Sequence, residues 1–338
     1  MINPVTKGFW ANLNLDDIIE PVKFELGTFE KKISKELSGS TKLLDDICDH
    51  IIKSGGKRLR PAVTFLLAKA LNRGLLSSDH FKLGIALELI HTASLIHDDV
   101  IDGTDVRRNS QTVHNKWNEK LAVISGDFLL AKSLKKLAEI KNLQIIELFA
   151  NIMNEICVGE AEQGEQSYQI ISLEEYIRKS IRKTAMLFVA GCEGAALITP
   201  GADNEMVKSA REYALNLGIA FQIFDDILNF SENQNTTGKP VGVDLKNGII
   251  TAPALFAIKE YEKSKDYTLR TLIQNKFKTD EEYNQAVRLV LDSNGIQKAK
   301  ELSGQYVLKA VKCLDSVQKS IYRDSLVNIA YYSANRHF

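Results

Sequence analysis

Apolar residues recur along this chain at helical spacing, with little strand-like alternation. Between residues 79 and 103, Leu89, Ile90, Leu95, Ile96, Val100 and Ile101 mark the buried side of one long helix that Gly103 closes. The same periodicity predicts helices over 41–54, 125–140, 145–166, 173–198 and 205–230, and a series of amphipathic helices from 251 to 338. Gly55-Gly56 stops the first of these, and Ser125 reads as an N-cap with Asp127 in the following turn. Ahead of them, Phe9, Trp10, Leu13, Leu15, Ile18, Ile19, Val22, Phe24, Leu26, Phe29 and Ile33 predict a leading helical hairpin. Its N-cap is Asn14 or Asp16, and its aromatics go to the core or to a subunit contact. No linker, repeat or low-complexity block interrupts the pattern, and only 6 of 338 residues are proline. The expectation is one all-α domain spanning 1–338: leading helices over 1–38, a core over 40–255 and C-terminal helices over 256–338.

Composition narrows the partners. Lysine plus arginine equal aspartate plus glutamate at 43 each, so no global charge draws the chain to nucleic acid or an acidic membrane surface. Cys48, Cys157, Cys192 and Cys313 are isolated, which reads as reduced core thiols in a cytoplasmic protein. No run approaches the ~18 apolar residues of a membrane span, and no basic-then-apolar leader opens the chain, so solubility is expected.

The charge that matters is local. Asp98, Asp99 and Asp102 interrupt the apolar helix over 79–103; Asp98 and Asp102 lie four apart on one face, with no lysine or arginine at i+4 to neutralise them. Arg107 and Arg108 follow at once. A second carboxylate pair, Asp225 and Asp226, sits in the apolar run FQIFDDILN at 221–229. Two such helices far apart in sequence suggest one cavity between them, holding a hard divalent cation such as Mg²⁺ together with phosphate oxygens. For the first stretch alone, a solvated helix end is the other reading. Lys57, Arg58 and Arg60, with Pro61 starting the next helix, make either an anion site or a solvated basic turn. His91 is two turns before Asp98, near the same face, whereas His97 and His114 are read as structural. The polar, glycine-rich stretch 231–248 is longer than a simple connection and reads as a lid.

These stretches together resemble the trans-isoprenyl diphosphate synthases of the polyprenyl synthetase family. The resemblance rests on DDVID at 98–102, DDILN at 225–229, GGKRLRP at 55–61, GDFLLA at 126–131, GEAEQ at 159–163, Lys183-Thr184 and TGKPVGVDLKNG at 237–248. It implies the isoprenoid synthase fold, a helical bundle around a central active-site cavity. It also implies a head-to-tail condensation of isopentenyl diphosphate with an allylic diphosphate. Catalytic roles then fall to Asp98, Asp99, Asp102, Arg107, Lys183, Asp225 and Asp226. Asp98, Asp102 and Asp225 would hold about three Mg²⁺ ions with the diphosphate. Isopentenyl diphosphate would be held by Lys57, Arg60, His91 and Arg108, and the allylic partner by Arg107, Lys183 and Lys239. Thr184 and Gln222 would face the reacting carbon, and Glu160 and Gln163 the metal-bound waters. A homodimer is implied, a heteromer being the alternative, with transient membrane contact for product release and a product suited to a quinone side chain.

Two departures stand out: Asn109 and Gln111 replace the usual Gly and Pro after the arginine pair, and Asn229 replaces a third aspartate. Ala93 and Ser94, below Asp98, are small where short-chain relatives carry bulky aromatics. The tunnel should therefore stay open for a product of about six to ten isoprene units, each helical turn adding ~5.4 Å of depth. Phe128, Leu129 or Phe149 would end it. The alternatives are a short-chain farnesyl or geranylgeranyl synthase, the catalytic subunit of a heteromeric synthase, a regulatory subunit, or a terpene cyclase. The DDILN motif and GGKRLR weigh against a cyclase.

Overall fold

A computed structural model describes residues 14–165, 167–231 and 241–335. Its helices in chain order are α1 (Leu15–Ile19), α2 (Lys23–Leu37), α3 (Lys42–Lys53), α4 (Leu59–Leu71) and α5 (Ser78–Ile101). A two-stranded hairpin follows, β1 (Val106–Arg107) and β2 (Ser110–Gln111). Then come α6 (Val113–Lys116), α7 (Glu119–Ile140), α8 (Leu143–Glu165), α9 (Leu173–Ser180), a π-helical turn (Ile181–Ala185), α10 (Met186–Ile198) and α11 (Asn204–Ser231). The remainder is α12 (Val243–Lys246), α13 (Ala252–Lys263), α14 (Thr268–Gln274), α15 (Asp280–Asp292), α16 (Gly295–Cys313) and α17 (Ile321–Ser333). The all-α expectation holds.

Three local expectations are corrected. The leading residues do not form a hairpin among the described residues: Pro21 opens a 3₁₀ turn, Glu20–Val22, that joins α1 to α2, where a proline costs no helical hydrogen bond. Phe9, Trp10 and Leu13 lie outside the described residues. Helix α7 starts six residues early because Asn118 caps it, its side chain accepting from Leu121 N at 2.8 Å. Ser125 is buried inside the helix, its hydroxyl donating back to the Ala122 carbonyl. All four cysteines are free, but Cys157 is exposed rather than core. Elsewhere the caps act as read: Asn14 caps α1 and Gly55 turns the chain with φ +70°.

Helix α10 is the hub. Nearly every residue from Leu187 to Ala196 is buried, as expected of a helix apolar all round. It packs against both motif-bearing helices, α5 and α11, and also against α4 and α8. The buried apolar side chains form two clusters, and α11 contributes Leu217 to one and Ile223 to the other. At the ends of α5, Ser77 and His80 form a reciprocal cap, and the buried His80 ring reaches the Thr199 hydroxyl at 3.1 Å. The hairpin turns through Arg108 (φ 50°) and Asn109 (φ 60°), both left-handed as a type I′ turn requires. Asn109 thus fills the turn position by its own tolerance of that region. Among the described residues, no helix is long and apolar enough to cross a membrane.

Gly218 of α11 lies where the helix crosses the π-helical turn. A Cβ there would come 2.4 Å from the Ala185 Cα, which is backbone and cannot swing aside. Gly218→Ala should therefore lower unfolding stability by about 1–3 kcal/mol through overpacking. Urea denaturation measures it; an unchanged midpoint would mean the two elements are not in contact.

Candidate active site

The sequence places a glycine pair, three cations and a proline at the start of α4, and the fold closes them onto α5 and the hairpin. Lys57, Arg60, His91 and Arg108 line one pocket of about 440 Å³, with Phe221 and Tyr332 on its apolar side. Arg108 donates to the Gly55 carbonyl. A Cβ at Gly56 would sit 2.7 Å from its guanidinium, so a side chain there would displace the tip of Arg108. Arg60 Nη1 donates to His91 Nε2 at 3.1 Å, which puts the imidazole proton on Nδ1. Burial, then Arg60 and Arg108, hold the His91 pKa well below the ordinary imidazole value, so the ring is neutral. Burial lowers Arg60 to about 10, against the pull of Glu88 and Asp225, and it stays charged at neutral pH. Its guanidinium lies 5.1 Å over the Phe188 ring, and its Nε is buried with no hydrogen-bond partner. A buried donor left over among cations is the complement of a polyanionic ligand.

Beside this pocket is a larger cavity of about 660 Å³, lined by Asp102, Arg107, Glu160, Tyr176, Lys183 and Asp244 among others. Asp102 caps α5, its N–H donating to the Asp98 carbonyl at 2.8 Å, which keeps the two on one side. Burial and then Glu160 raise Asp98 to about 6, with Lys183 pulling the other way. Lys183 is presented by the π-helical turn, a local widening often found at functional sites. Asp99 points elsewhere: it is 5 % exposed and accepts from Arg107 Nε at 2.7 Å.

On α11 the two carboxylates also divide. Asp226 is buried and accepts from the Tyr176 hydroxyl at 2.5 Å and from Gln222 Nε2 at 2.8 Å. Gln222 in turn accepts from Thr184 Oγ1 at 2.5 Å. Burial and then Asp244 push Asp226 up to about 8. Asp225 is less buried and close enough to Arg60 to influence it. Asn229 does not extend the acidic face. Its side-chain oxygen accepts from Asp244 N at 3.4 Å and its carbonyl from Gly242 N at 2.8 Å, seating α12 so that Asp244 reaches the cavity. Lys239 and the Gln163 side chain lie outside the described residues.

Below Asp98, Ser94 is half-buried and donates to the His91 carbonyl at 2.9 Å. It shares its face with Leu87, which packs beside Gly191 of α10. Ala93 is fully buried one turn before His97, whose ring lies over Gly126 of α7. Tyr176, Lys179 and Glu88 were not singled out for this site from the sequence. Tyr176 is seven residues before Lys183 and Glu88 three before His91, so helical spacing alone would have found both.

Among the described residues no three carboxylate, imidazole or thiolate side chains converge to hold a metal by themselves. The carboxylates that line the cavity, Asp102, Glu160 and Asp244, offer oxygen donors only. That set fits a hard cation that keeps its waters and completes its shell with ligand oxygens.

A family model for polyprenyl synthetase matches residues 41–290. Solanesyl-diphosphate synthase 2 of Oryza sativa subsp. japonica, a chloroplastic protein, is 34 % identical over 96 % of this chain and 80 % of its own length. The structure of heptaprenyl diphosphate synthase from Staphylococcus aureus superposes with a TM-score of 0.86 at 30 % identity, covering 96 % of this chain and 99 % of that one. Polyprenyl synthase from Caulobacter crescentus CB15, complexed with calcium and isoprenyl diphosphate, gives 0.87 at 30 % identity over 96 % and 98 %. The acidic helices, the basic turn and these likenesses converge on one statement: the chain belongs to the polyprenyl synthetase family.

Proposed function

We propose that this chain condenses isopentenyl diphosphate head-to-tail with an allylic diphosphate to build a medium- or long-chain all-trans-polyprenyl diphosphate. The observation that carries the reading is the pairing of two pockets of different character. One is cationic with a buried unsatisfied donor, and the other sets the carboxylates of Asp102, Glu160 and Asp244 against Arg107, Lys179 and Lys183. Lys57, Arg60, Arg108 and neutral His91 bind the diphosphate of isopentenyl diphosphate and fix its double bond toward Asp225. Arg107, Lys183 and Lys239 pair with the allylic diphosphate. Asp98, Asp102 and Asp225 would hold about three Mg²⁺ ions there, which would supply Lewis acidity for the charge on the departing diphosphate.

As the allylic carbon–oxygen bond breaks, the carbonyls of the π-helical turn, Thr184 and Gln222 face the cationic carbon with their dipoles. The isopentenyl double bond closes the new carbon–carbon bond, and the proton lost goes to the released diphosphate. Apolar walls exclude the water that would quench the cation. Asp99 and Asp226 act through others: Asp99 aims Arg107, and Asp226 organises Tyr176, Gln222 and Thr184. The small side chains at Ala93 and Ser94, and relatives named for heptaprenyl and solanesyl products, support a long product. A cytoplasmic homodimer is the form we infer.

Incubating the purified chain with Mg²⁺, farnesyl diphosphate and isopentenyl diphosphate tests the reading. Dephosphorylated products longer than the primer are expected, and an unextended primer would overturn it.

Removing a metal ligand should act on rate alone. Asp98→Ala is expected to cut turnover at least about a hundredfold with an unchanged circular dichroism spectrum; near-normal rates would sink the assignment.

Acid should compete with the metal at the same carboxylate. Because folding raises Asp98 to about 6, its charge opposes folding above that pH and the opposition fades below it. The half-saturating Mg²⁺ concentration should therefore climb as pH falls from 7 to 5 without loss of structure. A flat Mg²⁺ requirement over that range would contradict the role of Asp98.

Product length is the third expectation. Ser94→Phe places a ring under the reacting diphosphate and should shorten the products, whereas Ala93→Phe faces α7 and should act differently. Full-length chains from the Ser94→Phe enzyme at normal rate would place the tunnel elsewhere.

A further inference from the structure

Arg58 stands between two cations of the basic pocket yet is spent on other partners. Its backbone is left-handed, φ 46° and ψ 33°, at the N-cap of α4, where a long side chain is uncommon. The guanidinium is largely buried and forked: Nε donates to Glu30 at 2.6 Å and Nη1 to Glu88 at 2.8 Å. Glu30 comes from α2 and Glu88 from α5, so one side chain ties three elements together at the turn that carries Lys57.

Glu88 is itself 5 % exposed. It lies three residues before His91 on α5 and borders the same pocket as Arg60 and Arg108. Burial lowers the pKa values of both those arginines, and the charge of Glu88 works against that lowering. Arg108 on the Gly55 carbonyl and the Ala62 N–H on the Arg58 carbonyl also hold this turn, and the fork adds the side-chain tie that fixes the left-handed residue beside Lys57.

We propose that Arg58 is a positioning residue: its fork to Glu30 and Glu88 locks the 55–58 turn so that Lys57, Arg60 and His91 converge on one diphosphate. Arg58 borders the pocket, but its guanidinium is taken up by Glu30 and Glu88. The proposal rests on the reading of this pocket as the isopentenyl diphosphate site.

Arg58→Lys keeps the buried charge but cannot donate two hydrogen bonds from a rigid fork. It should raise KM for isopentenyl diphosphate about tenfold, the loss of one charge-assisted bond. The KM for farnesyl diphosphate and kcat should stay within about twofold of the parent. A purely structural role would instead lower the melting temperature and change all three constants together. Glu30→Ala, which removes the half-exposed partner and folds more readily, should give a smaller, equally selective rise of about threefold. Lys57→Ala separates the two claims. If it leaves KM for isopentenyl diphosphate unchanged, the assignment of the pocket fails. If it raises that KM while Arg58→Lys and Glu30→Ala do not, the positioning role of Arg58 is overturned. Should Arg58→Lys fail to fold, an unchanged KM in Glu30→Ala overturns it alone.

Discussion

Carboxylates buried on an apolar helix must each meet a cation, and α5 carries three of them. Glu88 and Asp99 are little exposed and Asp98 is half-buried; their cations are Arg58, Arg107 and Lys183. An isolated charge would be too costly in such a setting. Glu88 and Asp99 are eleven residues apart and therefore only about 20° apart around the helix. They form one stripe that holds the turn before α4 and the 106–111 hairpin. His91, Asp98 and Ser94 lie about 60°, 80° and 120° round the helix from Glu88. One helix thus fastens the turn and the hairpin along one stripe and presents Asp98 on the flank beside it.

The consequence is a division of charge that suits two diphosphates in different roles. On the cationic side there is an orphaned Arg60 Nε and a neutral His91, and no carboxylate except Glu88 lines it. That pocket can hold a diphosphate that must not ionise. In the proposed reaction Asp98, Asp102 and Asp225 would recruit metal to the diphosphate that must leave. Asp225 is within electrostatic reach of Arg60.

Much of this was legible in the chain because it depends on local spacing. Helical periodicity located α5 and α11, and the four-residue spacing of Asp98 and Asp102 set them on one face. Which neighbour of a DD pair turns inward was not legible, since adjacent residues point about 100° apart and the partner decides. Arg107 takes Asp99, and Tyr176 takes Asp226. The π-helical turn under Lys183 leaves no mark in composition; it depends on the close approach that Gly218 permits. Asn229, which stands in place of a third aspartate, accepts from the Asp244 N–H of α12, a role set by a residue fifteen positions later. The start of α7 was misread because Ser125 and Asn118 are both good caps and only tertiary packing chooses between them.

The division of charge between the pockets is the central claim, and anomalous diffraction tests it directly. Crystals grown with Mn²⁺, isopentenyl diphosphate and an unreactive thio analogue of the allylic diphosphate would be measured at the manganese edge. All manganese peaks should fall between Asp98, Asp102 and Asp225, with a metal-free diphosphate against Lys57, Arg60, His91 and Arg108. Manganese in the basic pocket, or none between the two aspartate helices, would contradict the account.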